Sequence, residues 1–222
     1  MNNTPAIFED TLSVQLFECD FERRWKPAAF FQHLIELGTR HAETLGWGYD
    51  AMLDGGFFWV NARMKMRFFG YPRAGQSVRL RTWPKTIQQK IFFVRDFEVE
   101  SESGQRLAAA TCAFVVVNAS TRRMSPLSAL NIELPETAKR SALDEPLEKI
   151  APLAETREAL RVMPGYSAVD LLGHVNTSRY IEWLCDAFPF AMYREQQISW
   201  LQVTYEHEVL PGEEVSLRAG EY

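Results

Sequence analysis

Apolar and polar positions divide the chain into two similar runs of elements. In the first run, Leu12–Phe17 reads as a strand and Asp20–Trp25 as a loop. From Pro27 to about Leu45, Phe30, Phe31, Leu34, Ile35 and Leu45 fall on one side of a helix, with proline at its start and Gly46 at its end. Strands are predicted over Phe57–Phe68, Ser77–Trp83, Lys90–Val99 and Leu107–Asn118. The second run has a strand at Ala159–Met163 and a loop at Asp170–Val175. A helix follows from Thr177, with Asn176 as its N-cap. Tyr180, Ile181, Leu184, Cys185 and Phe188 line its apolar side, and Pro189 disturbs or ends it. Strands Ile198–Glu208 and Glu214–Arg218 close this run.

The two runs align at one offset: Asp20 matches Asp170 and Leu34 matches Leu184, each pair 150 residues apart. Arg73-Ala-Gly75-Gln-Ser-Val78-Arg-Leu80 also resembles Leu210-Pro-Gly212-Glu-Glu-Val215-Ser-Leu217. A repeated strand, long helix and antiparallel strands predict an α+β fold, with a helix packed on a curved sheet in each unit. The units are expected at residues 1–130 and 159–222. The linker between them, 131–158, is charged and carries Pro135, Pro146 and Pro152. Counterparts of the strands from about Lys90 to Asn118 are missing from the second unit, so Glu214–Arg218 is expected to leave an unpaired edge. Two outcomes are open: a second copy covers that edge, giving a homodimer, or the chain continues past Tyr222.

With 46% hydrophobic residues, 15 Phe, 7 Tyr and 6 Trp, the chain reads as a folded, aromatic-rich globule. No apolar run approaches the roughly 20 residues of a membrane span. A formal charge of −5 argues against general nucleic-acid binding. Cys19, Cys112 and Cys185 give neither metal-ligand spacing nor a disulfide framework. No signal or transit pattern is read at the start, so a cytoplasmic setting is expected, with no metal or cofactor implied.

The densest chemistry lies in Asp170-Leu-Leu-Gly-His174-Val-Asn176-Thr-Ser-Arg-Tyr180-Ile-Glu-Trp183. It places an acid and a histidine four residues apart, just ahead of a helix N-terminus. Unpaired first-turn amides and the helix dipole favour developing negative charge at such a point, as on a reacting carbonyl. A capped surface helix with a solvated Asp and His explains the motif equally well by itself. No G-x-S-x-G elbow occurs, which directs attention away from a serine nucleophile.

Over nearly its whole length the chain resembles the acyl-acyl-carrier-protein thioesterases. The resemblance rests on Trp59-Val-Asn-Ala-Arg63-Met, Tyr71-Pro72, Thr82-Trp83, Asn118-Ala-Ser-Thr-Arg122-Arg123-Met-Ser125 and the Asp170–Trp183 motif. It implies a double hotdog fold, each unit a long helix wrapped by an antiparallel sheet. It also implies hydrolysis of the thioester joining a fatty acyl chain to acyl carrier protein. Plant members carry Asp-x-Asn-x-His, with a Glu 34 residues after the His. Here that spacing leads from His174 to Glu208, while the Asn position is Leu172. Asp170, His174 and Glu208 are thereby the implied catalytic set. The Asp-Leu-Leu-Gly-His run is also reminiscent of single-hotdog bacterial acyl-CoA thioesterases, in which the Asp is the key carboxylate.

In that setting Glu208 acts as general base on water or as a direct nucleophile. His174 donates to the carbonyl or to the leaving sulfur, and Asp170 orients His174 or shares the base role. The first unit has Arg24 where the second has His174, so it is expected to hold the acyl chain. Met64, Met66, Phe68, Phe31 and Ile35 are candidate channel residues, with plain core as the competing reading, and Asn176 is a candidate substrate contact. Arg63, Lys65 and Arg67 form a basic strand face that would dock the acidic carrier, or else a solvated face or one salt-bridged to Glu98 and Glu100. The alternatives are an acyl-CoA thioesterase, a non-catalytic acyl-thioester-binding module, to which Leu172 points, and a dehydratase, which the spacing fits poorly.

Overall fold

A computed structural model describes residues 5–130, 132–135, 137 and 140–220. Strand β1 spans Phe8–Ser13, and helix α1 spans Pro27–Thr44. Proline at the first helical position lacks only an amide that would have no helical partner. Gly46 ends the helix at φ 80°, a left-handed conformation in which a Cβ is penalised. A short helix α2, Tyr49–Asp54, leads into β2 (Phe57–Phe68), β3 (Ser77–Gln88), β4 (Phe92–Ser101) and β5 (Arg106–Asn118). These strands are antiparallel and wrap α1 in the order β1-β3-β4-β5-β2. A two-residue strand β6, Met124–Ser125, pairs with β5. The buried side of α1, including Phe30, Phe31, Leu34 and Leu37, packs into one core with Met64, Met66, Phe97 and Val99. Gly38 permits the closest approach, since a Cβ there would meet the Phe97 ring at 3.2 Å.

The second run continues with β7 (Arg157–Val162), α3 (Thr177–Asp186), α4 (Met192–Glu195), β8 (Trp200–Thr204) and β9 (Val215–Ala219). The repeat extends to single hydrogen bonds. Asp20 N–H donates to Arg24 O and Asp170 N–H to His174 O, both at 2.8 Å. Each loop is preceded by a 3-10 turn, Leu16–Glu18 or Tyr166–Ala168. Gly75 N–H donates to Val14 O, and Gly212 N–H donates to Pro164 O, the acceptor 150 residues after Val14. Strand β8 joins the free edge of β2, with Arg63 opposite Thr204, so one sheet runs from the first unit into the second. Strands β7 and β9 pair separately. Among the described residues no strand lies between β8 and β9.

Several boundaries, and one short helix, differ from the sequence reading. The strand expected at Leu12–Phe17 is Phe8–Ser13, and the following residues turn so that Glu18 accepts from the Trp25 indole at 3.0 Å. The strand expected at Ile198–Glu208 stops at Thr204. Its partner β2 bulges at Ala62, where Tyr205 N–H makes the last bond of the ladder at 2.9 Å, and the chain beyond is released. Helix α2 follows Gly48 without the periodicity that a longer helix displays.

Part of the inter-unit segment lies along the outer face of the sheet. Arg67 holds Glu145 through two bonds of 2.9 and 3.0 Å, Lys65 Nζ donates to Pro146 O at 2.9 Å, and Arg63 reaches Leu147 O at 3.4 Å. This corrects the expectation of a free basic face at Arg63, Lys65 and Arg67. The three cations alternate with buried side chains on one strand, and the chain's own carbonyls and Glu145 cover them.

Candidate functional site

The loop that carries the Asp-His motif is built by its own backbone. Asp170 Oδ1 accepts from the amides of Leu172 at 2.9 Å and His174 at 3.3 Å, and Gly173 takes φ 82° to close the turn. Among the described residues the Asp170 carboxylate has no hydrogen bond to the His174 ring. Asp170 therefore shapes the loop rather than gripping the imidazole, which corrects one of its two expected roles. In the first unit Asp20 does the same for Glu22 and Arg24, and it also binds the Arg24 side chain at 2.8 Å. The Arg24 guanidinium goes on to Tyr193 O at 2.7 Å. The position equivalent to His174 is thus locked into structure in the first unit.

Val175 N–H donates to Val209 O at 2.9 Å, which brings the segment after β8 against the loop. As a result Glu208 Oε2 lies 3.2 Å from His174 Nε2. Arg122 completes the cluster. Its Nη2 is 2.7 Å from Glu208 Oε2 and 3.1 Å from His174 Nε2. Arg122 comes from the other unit, in the turn between β5 and β6. The Asn118 side chain organises that turn by accepting from the amides of Ser120 and Thr121. The guanidinium also lies over the Phe58 ring, 5.1 Å from its centroid. Sequence reasoning assigned Arg122 no role. The signal available was its place in the Asn118–Ser125 motif, which carries the turn but not the destination of the side chain.

Asn176 caps α3 by accepting from Ser178 N–H at 2.9 Å and from Ser178 Oγ at 2.8 Å. Gln32 of α1 donates to the same Ser178 hydroxyl at 3.1 Å and so ties the two long helices together. Tyr180 and Tyr205 stand edge to face, with ring centroids 5.5 Å apart. Burial raises both phenols above the ordinary tyrosine range, so they remain neutral donors.

These groups open on a cavity of about 1480 Å³. Asp170, Leu172, His174, Asn176 and Glu208 line it from the second unit, and Arg122 from the first. It extends between α1 and the sheet to Ile35, Gly38, Asn61 and Arg95. Of the expected channel residues, Ile35 lines this cavity. Met64, Met66, Phe68 and Phe31 do not, being buried in the core cluster instead. The reason is register: these β2 side chains are buried in the core cluster, while β2 lines the cavity with Phe58 to Arg63, around the Ala62 bulge. His207 lies exposed at the rim, next to Glu208.

A helix wrapped by an antiparallel sheet, followed by the same turn, loop and helix a second time with β8 joined to β2, defines a tandem hotdog. Residues 5–130 match the acyl-ACP thioesterase N-terminal domain, and residues 152–220 match the acyl-ACP thioesterase C-terminal domain. The chain belongs to the acyl-ACP thioesterase family. It is 28% identical over 215 residues to the palmitoyl-acyl carrier protein thioesterase, chloroplastic, of Gossypium hirsutum, covering 91% of this chain and 52% of that protein. It is 24% identical over 225 residues to the dodecanoyl-[acyl-carrier-protein] hydrolase, chloroplastic, of Cinnamomum camphora, covering 91% and 56%. The chain thus spans about half the length of the curated relatives it matches. An acyl-ACP thioesterase from Bacteroides thetaiotaomicron superposes with a TM-score of 0.80 at 25% identity, covering 95% of this chain and 85% of that one. The 12:0-ACP thioesterase from Umbellularia californica gives 0.75 at 21% identity, covering 95% and 81%, a likeness of fold. No described helix is long and apolar enough to cross a membrane.

Proposed function

We propose that this protein hydrolyses fatty acyl thioesters of acyl carrier protein, releasing a free fatty acid and the carrier's thiol. The observation that supports this most directly is Glu208 and His174 in contact, beside Arg122, on a cavity of a volume that accommodates an acyl chain. The first unit holds the chain between α1 and the sheet, and the second supplies the Asp170 loop, His174 and Glu208.

In the reaction a water beside Glu208 gives its proton to the carboxylate as its oxygen attacks the thioester carbon. Negative charge on the former carbonyl oxygen is met by donors at the mouth. Collapse expels the thiolate, and the proton held by Glu208 or His174 returns to sulfur. Asp170 acts through the loop, placing the His174 backbone where the ring meets Glu208. Asn176 contributes by capping α3 beside the cavity, its side-chain oxygen being engaged by Ser178. A carboxylate-led route suits a site with no serine or cysteine nucleophile in the cluster.

A second reading, binding without turnover, is favoured by Leu172, whose apolar side chain stands where the family's Asn would be. A panel of acyl chains presented on acyl carrier protein and on coenzyme A, with thiol release followed over time, separates the readings. Turnover highest on the carrier supports the proposal. Tight binding with no thiol released supports the second reading, and turnover on coenzyme A alone would reassign the carrier. For assembly, we propose that a second copy covers the edge of β9, Val215–Ala219, opposite to its partner β7, which sedimentation over a concentration series tests.

A further inference from the structure

Arginine can only donate hydrogen bonds, and it stays charged at any physiological pH. The Arg122 Nη2 that donates to Glu208 Oε2 at 2.7 Å also faces His174 Nε2 at 3.1 Å. A nitrogen that accepts from Arg122 carries no proton. His174 Nε2 and Glu208 Oε2, 3.2 Å apart, are then two acceptors sharing one cationic donor rather than an imidazolium–carboxylate pair.

We propose that Arg122 is a positioning residue that sets the resting proton state of the site, holding His174 neutral with its proton on Nδ1. This rests on the functional reading above for its purpose, but not for its test. The histidine meets substrate with an Nε2 lone pair beside Glu208, ready to receive the proton that Glu208 takes from water and to pass it to sulfur. Water that donates to Nε2 must displace the guanidinium from that nitrogen, while Arg122 keeps its bond to Glu208.

Two observations from outside the pair support an assigned rather than an incidental arginine. Its backbone is left-handed, at φ 55°, which costs an L-residue energy and is held here by the Asn118 turn, with Arg122 N–H donating to Asn118 O at 2.9 Å. The guanidinium also lies over Phe58, so ring and carboxylate together fix its plane. A second arginine–histidine pair in the same chain obeys the same logic. Arg95 Nη1 is 2.9 Å from His41 Nδ1, and the opposite ring nitrogen of His41 bonds Pro5 O at 2.9 Å.

Nitrogen-15 NMR of the full chain, with the ring of His174 assigned by comparison with His174→Gln, reads the tautomer directly. At neutral pH the expected pattern is a pyridine-like Nε2 and a protonated Nδ1. In Arg122→Ala, Glu208 becomes the neighbour of Nε2, and the proton is expected to move there in most molecules. An Nε2-protonated ring or an imidazolium in the parent protein overturns the proposal, whether or not the variant folds. So does a His174 pattern identical in the parent and in folded Arg122→Ala. Thiol release from acyl-ACP is measured on the same samples. Absence of turnover with the expected tautomer refutes the thioesterase reading and leaves this inference standing, while turnover with the wrong tautomer does the reverse.

Discussion

Leu34 and Leu184 occupy the same point of the repeat, 150 residues apart, yet Leu34 is 1% exposed and Leu184 is 42% exposed. Leu34 lies beneath the β3-β4-β5-β2 sheet. Leu184 belongs to a helix whose flanking strands β8 and β9 have none between them among the described residues. Burial here follows from strand count and not from the residue. Leu34→Ala is expected to cost about 2–5 kcal/mol as a core truncation. Leu184→Ala is expected to stay below about 1 kcal/mol. Urea unfolding of the two variants compares them, and equal losses would mean that α3 is covered after all.

The left-handed turns give a paired prediction. Gly173 at φ 82° and Arg23 at φ 62° stand at equivalent positions. A side chain is strained there, by roughly 1 kcal/mol. Arg23→Gly should therefore stabilise the fold by about that amount, less the entropy that glycine adds to the unfolded chain. Gly173→Ala should destabilise and also lower turnover, because it deforms the loop that places His174. Thermal melts and initial rates check both. A Gly173→Ala protein with parental rate and stability contradicts the loop account.

His41 makes stability depend on pH. Burial first, and then the adjacent Arg95 cation, push its pKa down to about 4. The unfolded chain binds this proton near pH 6.5, so the folded state holds fewer protons between those values. The stabilising contribution is complete above about pH 6.5 and is lost as pH falls toward 4, the loss amounting to about 3 kcal/mol there. Denaturant midpoints over pH 4–7 should fall with acidity. In His41→Gln that portion of the slope should vanish, and an unchanged slope would assign it to other groups.

Leu172→Asn tests the departure from the family motif. The Leu172 amide already serves Asp170, and its side chain lines the cavity. An Asn side chain reaching the site's water should be tolerated or raise turnover. If Leu172 instead packs against the acyl chain, the amide is buried without a partner at about 1–3 kcal/mol. A fall in both turnover and thermal stability would show that outcome.

The repeat was legible because it rests on local chemistry. An Asp that caps its own loop, a residue tolerating positive φ and a helix start recur at one offset, and each leaves a residue-type signature. Glu208 was legible only through the family spacing, since nothing local marks it. Its approach to His174 depends on the Ala62 bulge and the Val175–Val209 bond. Arg122 was not legible as a site residue, because a turn in one unit delivers it to the other. Met64, Met66 and Phe68 illustrate a further limit: alternation shows that they share a face but not whether that face meets a cavity or a helix. The cover over Arg63, Lys65 and Arg67 comes from a segment about 80 residues later in the chain, beyond any periodicity argument.

The central claim is that Glu208 and His174 carry out thioester hydrolysis. Single-turnover release of thiol from a long-chain acyl-ACP, compared among the parent, Glu208→Gln and His174→Ala, tests it most directly. Loss of a positioned acid–base group typically lowers a rate by about 10²–10⁴-fold. Both variants are expected to fall in that range while keeping the parental melting temperature within a few degrees. Parental rates in both variants, or a parent protein that releases no thiol, would contradict the account.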